Sequence, residues 1–253
     1  MVDYKSLAKE ARIAILGMVH KAQTSHIASN FSCIDIATVL YANLKKEDRV
    51  VWSKGWAAAS IYWFNAKYKR GPQEAVEKFP QEPYYGLAET TVPGVLVNGG
   101  SVGHGLSIAV GIALAKKRAG EKGTVYCIMS DGELNEGSVW EAAMFAAHHE
   151  LDNLVAIIDR NGWQAMGKTS DVISLNAVTA FNGFGWESDV INGHDFEDIS
   201  FELNQPSFGF PKVIIADTIK GKGVSFMENH LLYHYKNVTD EDYEKALTEL
   251  QNA

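Results

Sequence analysis

Thiols, long apolar runs and clustered positive charge are what this chain of 253 residues has least of. Its two cysteines, Cys33 and Cys127, each sit in an apolar segment, which argues against a disulfide scaffold or a thiolate metal centre and predicts two buried free thiols. No stretch approaches the ~18 consecutive apolar residues of a membrane-spanning helix. Met1-Val2-Asp3-Tyr4-Lys5 has neither the basic nor the hydrophobic region of a secretory leader, so a cytoplasmic location is expected. Lys and Arg number 23 against 31 Asp and Glu, a formal charge of −8, and no long basic run occurs. That balance argues against nucleic acid or an anionic membrane as a partner. Repeats, low-complexity tracts and linkers are missing too. The length suits one large α/β domain with a sizeable core.

Apolar periodicity supplies the rest of the framework. Ser6 to Lys21 carries Leu7, Ala11, Ile15, Met18 and Val19 at helical spacing, and 33–44 reads as a second amphipathic helix. Residues 57–69 and 105–118 are helical by the same test. Val125 to Met129, 155–158 and 212–217 are short, mostly apolar runs of the kind that form buried parallel strands. Between the first two, Val139 to His148 has helical spacing and strong helix formers, giving a strand, helix, strand unit. Thr239-Asp240-Glu241-Asp242 is a cap and acidic first turn for a terminal helix. Residues 71–97, with Pro72, Pro80, Pro83 and Pro93, are an irregular excursion of a length that is often functional. The alternation predicts an α/β fold: a doubly wound, mostly parallel sheet flanked by helices.

Two polar segments interrupt the strands at their carboxyl ends, where open α/β sheets bind ligands. One is Ser130-Asp131-Gly132-Glu133-Leu134-Asn135-Glu136-Gly137; the other, thirty positions on from Asp131, is Asn161 in Ile158-Asp159-Arg160-Asn161-Gly162. Adjacent strand ends would bring an acidic residue and an amide to one Mg²⁺. That ion takes oxygen ligands at about 2.1 Å and commonly keeps a phosphate in its shell. Gly132 would let the backbone come close to that phosphate. The competing reading is two ordinary turns, Asp-Gly and Asn-Gly.

The order of five segments resembles the amino-terminal, thiamine diphosphate-binding half of transketolase. They are Gly100-Ser101-Val102-Gly103-His104-Gly105-Leu106-Ser107, Asp131 to Gly137, Leu151-Asp152-Asn153-Leu154, Gly193-His194-Asp195-Phe196, and Lys220-Gly221-Lys222-Gly223-Val224-Ser225-Phe226-Met227-Glu228. The resemblance runs from about Ser25 to Lys236. It implies thiamine diphosphate with Mg²⁺, or Ca²⁺ or Mn²⁺ in its place. The metal ligands it implies are Asp131, the Asn161 side chain and the Trp163 backbone carbonyl. Gly132 and Gly103 would contact the cofactor through their backbones, with Glu133 and Trp56 beside it. Glu133 and Glu136 are read as interfacial, or as solvated residues at a helix start. His26 matches a histidine near the reacting centre, and His234 one that reaches the diphosphate and substrate hydroxyls. Without the flanking match, each histidine reads as an ordinary satisfied side chain.

Departures from the family pattern bear on substrate. Trp56, in Ser53-Lys54-Gly55-Trp56-Ala57, replaces a histidine, and Gly86-Leu87-Ala88 stands where Gly-His-Pro is usual. An indole only donates a hydrogen bond. His104 stands where glutamine is common and restores one polar contact, and Ser130 replaces a glycine. Two lost partners for substrate hydroxyls, at roughly 1–3 kcal/mol each, approach a thousandfold effect at about 1.4 kcal/mol per decade. The ordinary ketose phosphate donor is therefore not expected; pyruvate or an unusual sugar of a secondary pathway suits a Trp56 and Leu87 wall better.

What the resemblance implies of assembly is that 1–253 is a single diphosphate-binding domain. The pyrimidine-binding and carboxyl-terminal domains are then expected on a separate polypeptide, in an α2β2 heterotetramer acting on small molecules. Trp140, Trp163, Tyr84 and Tyr85 are candidate anchors for that interface, with core packing as the alternative. Three readings follow: the diphosphate-binding subunit of a transferase of two-carbon ketol or acyl units, a subunit of a 2-oxo acid decarboxylase or dehydrogenase, or a cofactor-binding partner protein without catalysis.

Overall fold

A computed structural model describes residues 2–252, which form two compact units. The first comprises the described residues up to Ala42, Gly55–Gly100, and the chain from Thr218 on; the second comprises Asn43–Lys54 and Ser101–Asp217.

Helices build the first unit: α1 (Tyr4–Ala22), α2 (Ile27–Phe31), α3 (Ile34–Asn43), α4 (Ala58–Lys67), α5 (Glu74–Glu77) and α11 (Asp240–Asn252). α1 begins where the Asp3 carboxylate accepts the Ser6 amide, at 3.0 Å, and buries Ala11, Ile15, Leu16 and Val19. α3 and α4 are buried on nearly every side, against the amphipathic expectation for 33–44, because the polar Asp35 and Thr38 of α3 also lie inside. Several polar groups inside this unit are paired, although the buried hydroxyls of Thr24, Thr38 and Tyr62 are not. Asn30 Oδ1 accepts the Ser60 amide and hydroxyl, each at 2.9 Å, while its Nδ2 donates to the His26 carbonyl at 2.9 Å. Arg12 grips Asp35 with two bonds of 2.8 and 2.7 Å and donates from Nε to the Lys222 carbonyl at 3.0 Å, pinning the loop after Thr218 to α1. Gly221 turns that loop at φ +82, where a Cβ would lie 2.4 Å from the Met227 carbonyl oxygen. The expected α11 cap is present, with Thr239 Oγ1 accepting the Asp242 amide at 3.1 Å. The proline-rich excursion holds only the single turn α5.

The second unit carries the sheet. Its strands are β1 (Arg49–Trp52), β2 (Val125–Ser130), β3 (Leu154–Arg160), β4 (Glu187–Asn192) and β5 (Lys212–Asp217), all parallel, in the order β1-β2-β3-β5-β4. Its helices are α6 (Gly105–Ala119), α7 (Gly137–His148), α8 (Thr169–Val172), α9 (Ala177–Phe184) and α10 (Phe196–Leu203). α6 packs on β1, β2 and β3, and α9 and α10 on β4. This parallel sheet flanked by helices bears out the expected α/β class. β2, β3 and β5 match the apolar runs. β1 and β4 escape that reading because β1 has four residues and β4, an edge strand, carries Glu187, Ser188 and Asp189. Both cysteines are buried free thiols, as expected.

Pairing of Ser130 with Asp159 sets the ends of β2 and β3 side by side. The start of α6 is fitted to the end of β1: the Gly105 amide donates to Ser53 Oγ at 3.1 Å, and a Cβ on Gly105 would fall 2.3 Å from Ser53 Cβ. Gly105→Ala is expected to cost about 1–3 kcal/mol through overpacking, read as a lowered urea midpoint at unchanged slope. An unchanged midpoint would contradict this packing.

Candidate cofactor and metal site

β2 delivers its polar sequence into a 3-10 turn, Asp131–Asn135, at the carboxyl edge of the sheet. Asp131 is buried. Its Oδ2 accepts the Gly162 amide at 2.9 Å and the Thr169 hydroxyl at 2.9 Å, and its Oδ1 accepts the Gly132 amide at 3.0 Å. Asn161 is buried as well; its Oδ1 accepts the Trp163 amide at 3.1 Å and its Nδ2 donates to Asp159 Oδ2 at 3.2 Å. Asp131 thus meets the turn that follows Asn161, through the Gly162 amide, across the β2 and β3 ends. Asp131 and Gly162 line a cleft of about 210 Å³ together with Asn135, Arg160, Thr169 and Leu175.

The charge balance here is uneven. Asp159 is fully buried and pairs with buried Lys54 Nζ, and Arg160 pairs with Asp217 at 2.5 Å, so the cations near Asp131 are committed to other carboxylates. Burial pushes the Asp131 carboxyl above its ordinary value, and the neighbouring Asp159 adds to the rise, against the hydrogen bonds from Thr169 and Gly162. Each carboxylate or amide oxygen has two acceptor positions. Asp131 Oδ1 and Asn161 Oδ1 each accept one bond, so each has capacity for a cation. Among the described residues no group of three or more His, Cys, Asp or Glu side chains could hold a metal. A carboxylate oxygen and an amide oxygen with spare acceptor positions are donors of the kind that suit Mg²⁺ rather than a thiolate- or imidazole-seeking ion. The residues present therefore fit a hard divalent cation. Gly132 lies against Gln164, whose Cγ a Cβ on Gly132 would approach to 3.0 Å. Trp163 is half-buried and forms an antiparallel bridge with Lys168.

Glu133 is not the solvated residue of the sequence reading. It is fully buried: Oε1 accepts the Ser130 amide and hydroxyl at 3.1 and 3.3 Å, and Oε2 accepts the Gly103 amide at 3.2 Å and the Ser53 hydroxyl. Burial raises its carboxyl above the usual range, opposed by these bonds. Its contacts tie the Gly103 turn, at φ +86, to the segment after β2, and Ser138 Oγ donates to the Gly103 carbonyl at 3.0 Å. His104 beside it and Glu136 are exposed.

A second cluster lies in the first unit. His26, buried and in the left-handed region at φ +70, stacks on Trp56 with centroids 4.6 Å apart and planes 15° from parallel. A left-handed backbone is uncommon for any residue but glycine, though histidine tolerates it better than most, and such positions cluster at functional sites. His234 and Tyr235 meet the His26 ring edge-on at 4.9 and 5.9 Å, and the His26 amide donates to the His234 carbonyl at 3.2 Å. Trp56 remains 39% exposed, so the indole both covers His26 and shows a face outward. Leu87 belongs to the same neighbourhood: the Ala88 amide donates to the Gly55 carbonyl at 3.4 Å, and Leu87 packs so near Gly99 that a Cβ there would be 2.7 Å away.

Sequence reasoning missed Lys54, Asp159, Thr169 and Lys220. Charged residues in or beside apolar strands, Lys54 after β1 and Asp159 within β3, were a usable signal, since such groups persist inside only when paired. Of the candidate anchors, Trp140 donates to the Leu134 carbonyl at 2.9 Å and packs on Phe181 and Phe184, while Tyr84 is buried with its hydroxyl on Glu74 at 2.6 Å. Both serve packing inside their own unit, whereas Tyr85 is exposed.

Residues 4–251 match the family described as transketolase, thiamine diphosphate binding domain. The chain belongs to that family. It is 37% identical over 259 residues to a subunit of the apulose-4-phosphate transketolase of Phocaeicola vulgatus, covering 96% of this chain and 92% of the relative. It is 33% identical to the 6-deoxy-6-sulfo-D-fructose transketolase subunit SqwG of a Clostridium species, covering 99% and 97%. The crystal structure of transketolase from Campylobacter jejuni superposes with a TM-score of 0.92 at 29% identity over 99% of this chain. The chain spans only 43% of that transketolase.

The raised Asp131 carboxyl gives a signed expectation. Below the ordinary Asp range, about pH 4, it is protonated in folded and unfolded chains, and the fold keeps its full stability. As pH rises through the higher folded-state value, the native protein must form a buried anion, and stability falls. Asp131→Asn has no such proton to lose. Urea unfolding at about pH 4 and about pH 7.5 should show the variant gaining stability relative to wild type at the higher pH; a relative loss would contradict the assignment.

Proposed function

We propose that this chain is the diphosphate-binding subunit of a two-component, transketolase-like transferase that moves a two-carbon ketol or acyl unit to an aldehyde or ketone acceptor. The observation that carries the reading is the meeting of Asp131 with the Asn161-Gly162 turn around one uncompensated buried charge, in a member of this family. Asp131, the Asn161 amide oxygen and the Trp163 carbonyl would hold Mg²⁺, and Gly132 and Gly103 would meet the diphosphate through their backbones. Thiamine diphosphate, when bound, supplies the carbanion chemistry of the transfer. What the chain's own side chains do is bind and orient. Glu133 fixes the Gly103 turn, Lys54 and Asp159 fix the Asn161 amide, and His26 and His234 present imidazole nitrogens to the donor.

The two-component reading is supported by relatives named as subunits, which this chain matches over nearly their whole length. On this reading the whole chain acts as one diphosphate-binding domain in the cytoplasm. A separate chain brings the pyrimidine-binding domain, in a heterotetramer of two copies of each.

Trp56 bears on the donor. The indole stacked on His26 occupies ring-to-ring distance with its apolar face, where a histidine would offer polar atoms to a sugar hydroxyl. Relatives named for apulose 4-phosphate and 6-deoxy-6-sulfo-D-fructose support an unusual sugar as donor rather than the standard ketose phosphate. Assayed alone and with a pyrimidine-binding partner chain, the protein is expected to be active only in the pair and poor with xylulose 5-phosphate. In that pair Trp56→His should raise kcat/KM for xylulose 5-phosphate roughly ten- to a hundredfold, the worth of one restored hydrogen bond of about 1–3 kcal/mol. Full activity of the isolated chain, or efficient wild-type turnover of xylulose 5-phosphate, would overturn these two parts of the proposal.

A further inference from the structure

Lys220 is 1% exposed, so its ammonium must find acceptors inside the protein. One of them is Nδ1 of His234, at 2.7 Å. Both ends of this contact are held. The Lys220 carbonyl accepts the Asn229 amide at 2.8 Å, and the next residue, Gly221, donates to the Ala28 carbonyl at 3.0 Å. His234 closes the 3-10 turn Leu231–His234, and its carbonyl takes the His26 amide at 3.2 Å.

The two nitrogens of this contact have unequal capabilities. A lysine ammonium carries three hydrogens and no lone pair, so it can only donate. Nδ1 of His234 must then be bare, and a neutral imidazole with a bare Nδ1 carries its proton on Nε2. We propose that Lys220 is a positioning residue that holds His234 as the neutral Nε2–H tautomer, making it a fixed hydrogen-bond donor. The inference rests on the reading of His234 as a group that meets cofactor or substrate.

His26 is arranged differently. Its Nδ1 lies 2.6 Å from Ser25 Oγ, and a hydroxyl both donates and accepts, so either tautomer of His26 is satisfied. The pair therefore offers one dedicated donor and one adaptable ring. A dedicated N–H recognises an oxygen that only accepts, such as a phosphate oxygen, or the lone pair of a sugar hydroxyl. Protonating His234 would set a second cation against Lys220, which disfavours the imidazolium. Other ionisable groups about the ring include His26 and Tyr235, with Lys236 and Asp242 paired to one another at 2.6 Å on the flanking residues and α11.

Long-range ¹H–¹⁵N spectra of the full chain with labelled histidine read the tautomer directly, with His234→Gln giving the assignment. Wild-type His234 is expected to be Nε2–H and neutral at pH 7, with a midpoint below the ordinary histidine value of about 6.5. Lys220→Met should raise that midpoint by about one unit or more and mix the tautomers, and Lys220→Arg, which also only donates, should restore the wild-type pattern. An Nδ1–H or doubly protonated wild-type ring at pH 7, or a Lys220→Met spectrum equal to wild type, would overturn the proposal. If Lys220→Met does not fold, the wild-type tautomer and midpoint decide alone. The spectra need no cofactor, partner or turnover, so failure of cofactor binding would count against the proposed function without touching this result.

Discussion

A carboxylate taken out of water at the tip of a central strand is the constraint on which the second unit's chemistry depends. Asp131 sits where β2 gives way to its 3-10 turn, and its Oδ2 accepts from both Gly162 and Thr169, so one oxygen organises the loop that leaves β3. Burial of a charge is costly unless it is compensated. The nearby ammonium of Lys54 is committed to Asp159, and the Arg160 guanidinium to Asp217. The protein thus keeps a local deficit of positive charge at the sheet edge that a hard cation would fill.

Around that deficit the supporting contacts are arranged with little freedom. Asp159 orients the Asn161 amide so that its oxygen, not its nitrogen, takes the Trp163 amide. Glu133 collects four donors from Ser53, Ser130 and Gly103 and so couples the ends of β1 and β2 to the Gly103 turn. In the first unit a comparable economy governs the histidines: a fixed left-handed backbone at His26, an indole stacked on its ring, and an ammonium on His234. In both places the groups read as functional are held by neighbouring side chains that are themselves tied into the fold.

Much of this is legible in the amino-acid order alone, because apolar runs and helical spacing report burial directly. β2, β3, β5, α1, α6, α7 and α11 follow from those patterns to within a few residues. β4 does not, since its inward positions are few and its polar ones face outward on an edge. β1 is too short to show a period. For the candidate site, Asp131, Asn161, His26 and His234 stand out in the sequence because they lie in distinctive segments. Their supports are not, because Lys54, Asp159 and Lys220 take their meaning from partners 105 and 14 residues away, a relation that spacing does not encode. The solvated alternative for Glu133 fails for the same reason: beside a glycine turn it looks exposed, and only the fold shows four donors closing on it.

Crystals of the chain with its partner, grown with thiamine diphosphate and Mn²⁺, test the central claim most directly through anomalous diffraction. One strong peak is expected about 2.1–2.2 Å from an Asp131 carboxylate oxygen and from Asn161 Oδ1, with a diphosphate oxygen in the same shell. A cofactor bound with its metal elsewhere, or no peak between those two side chains, would contradict it.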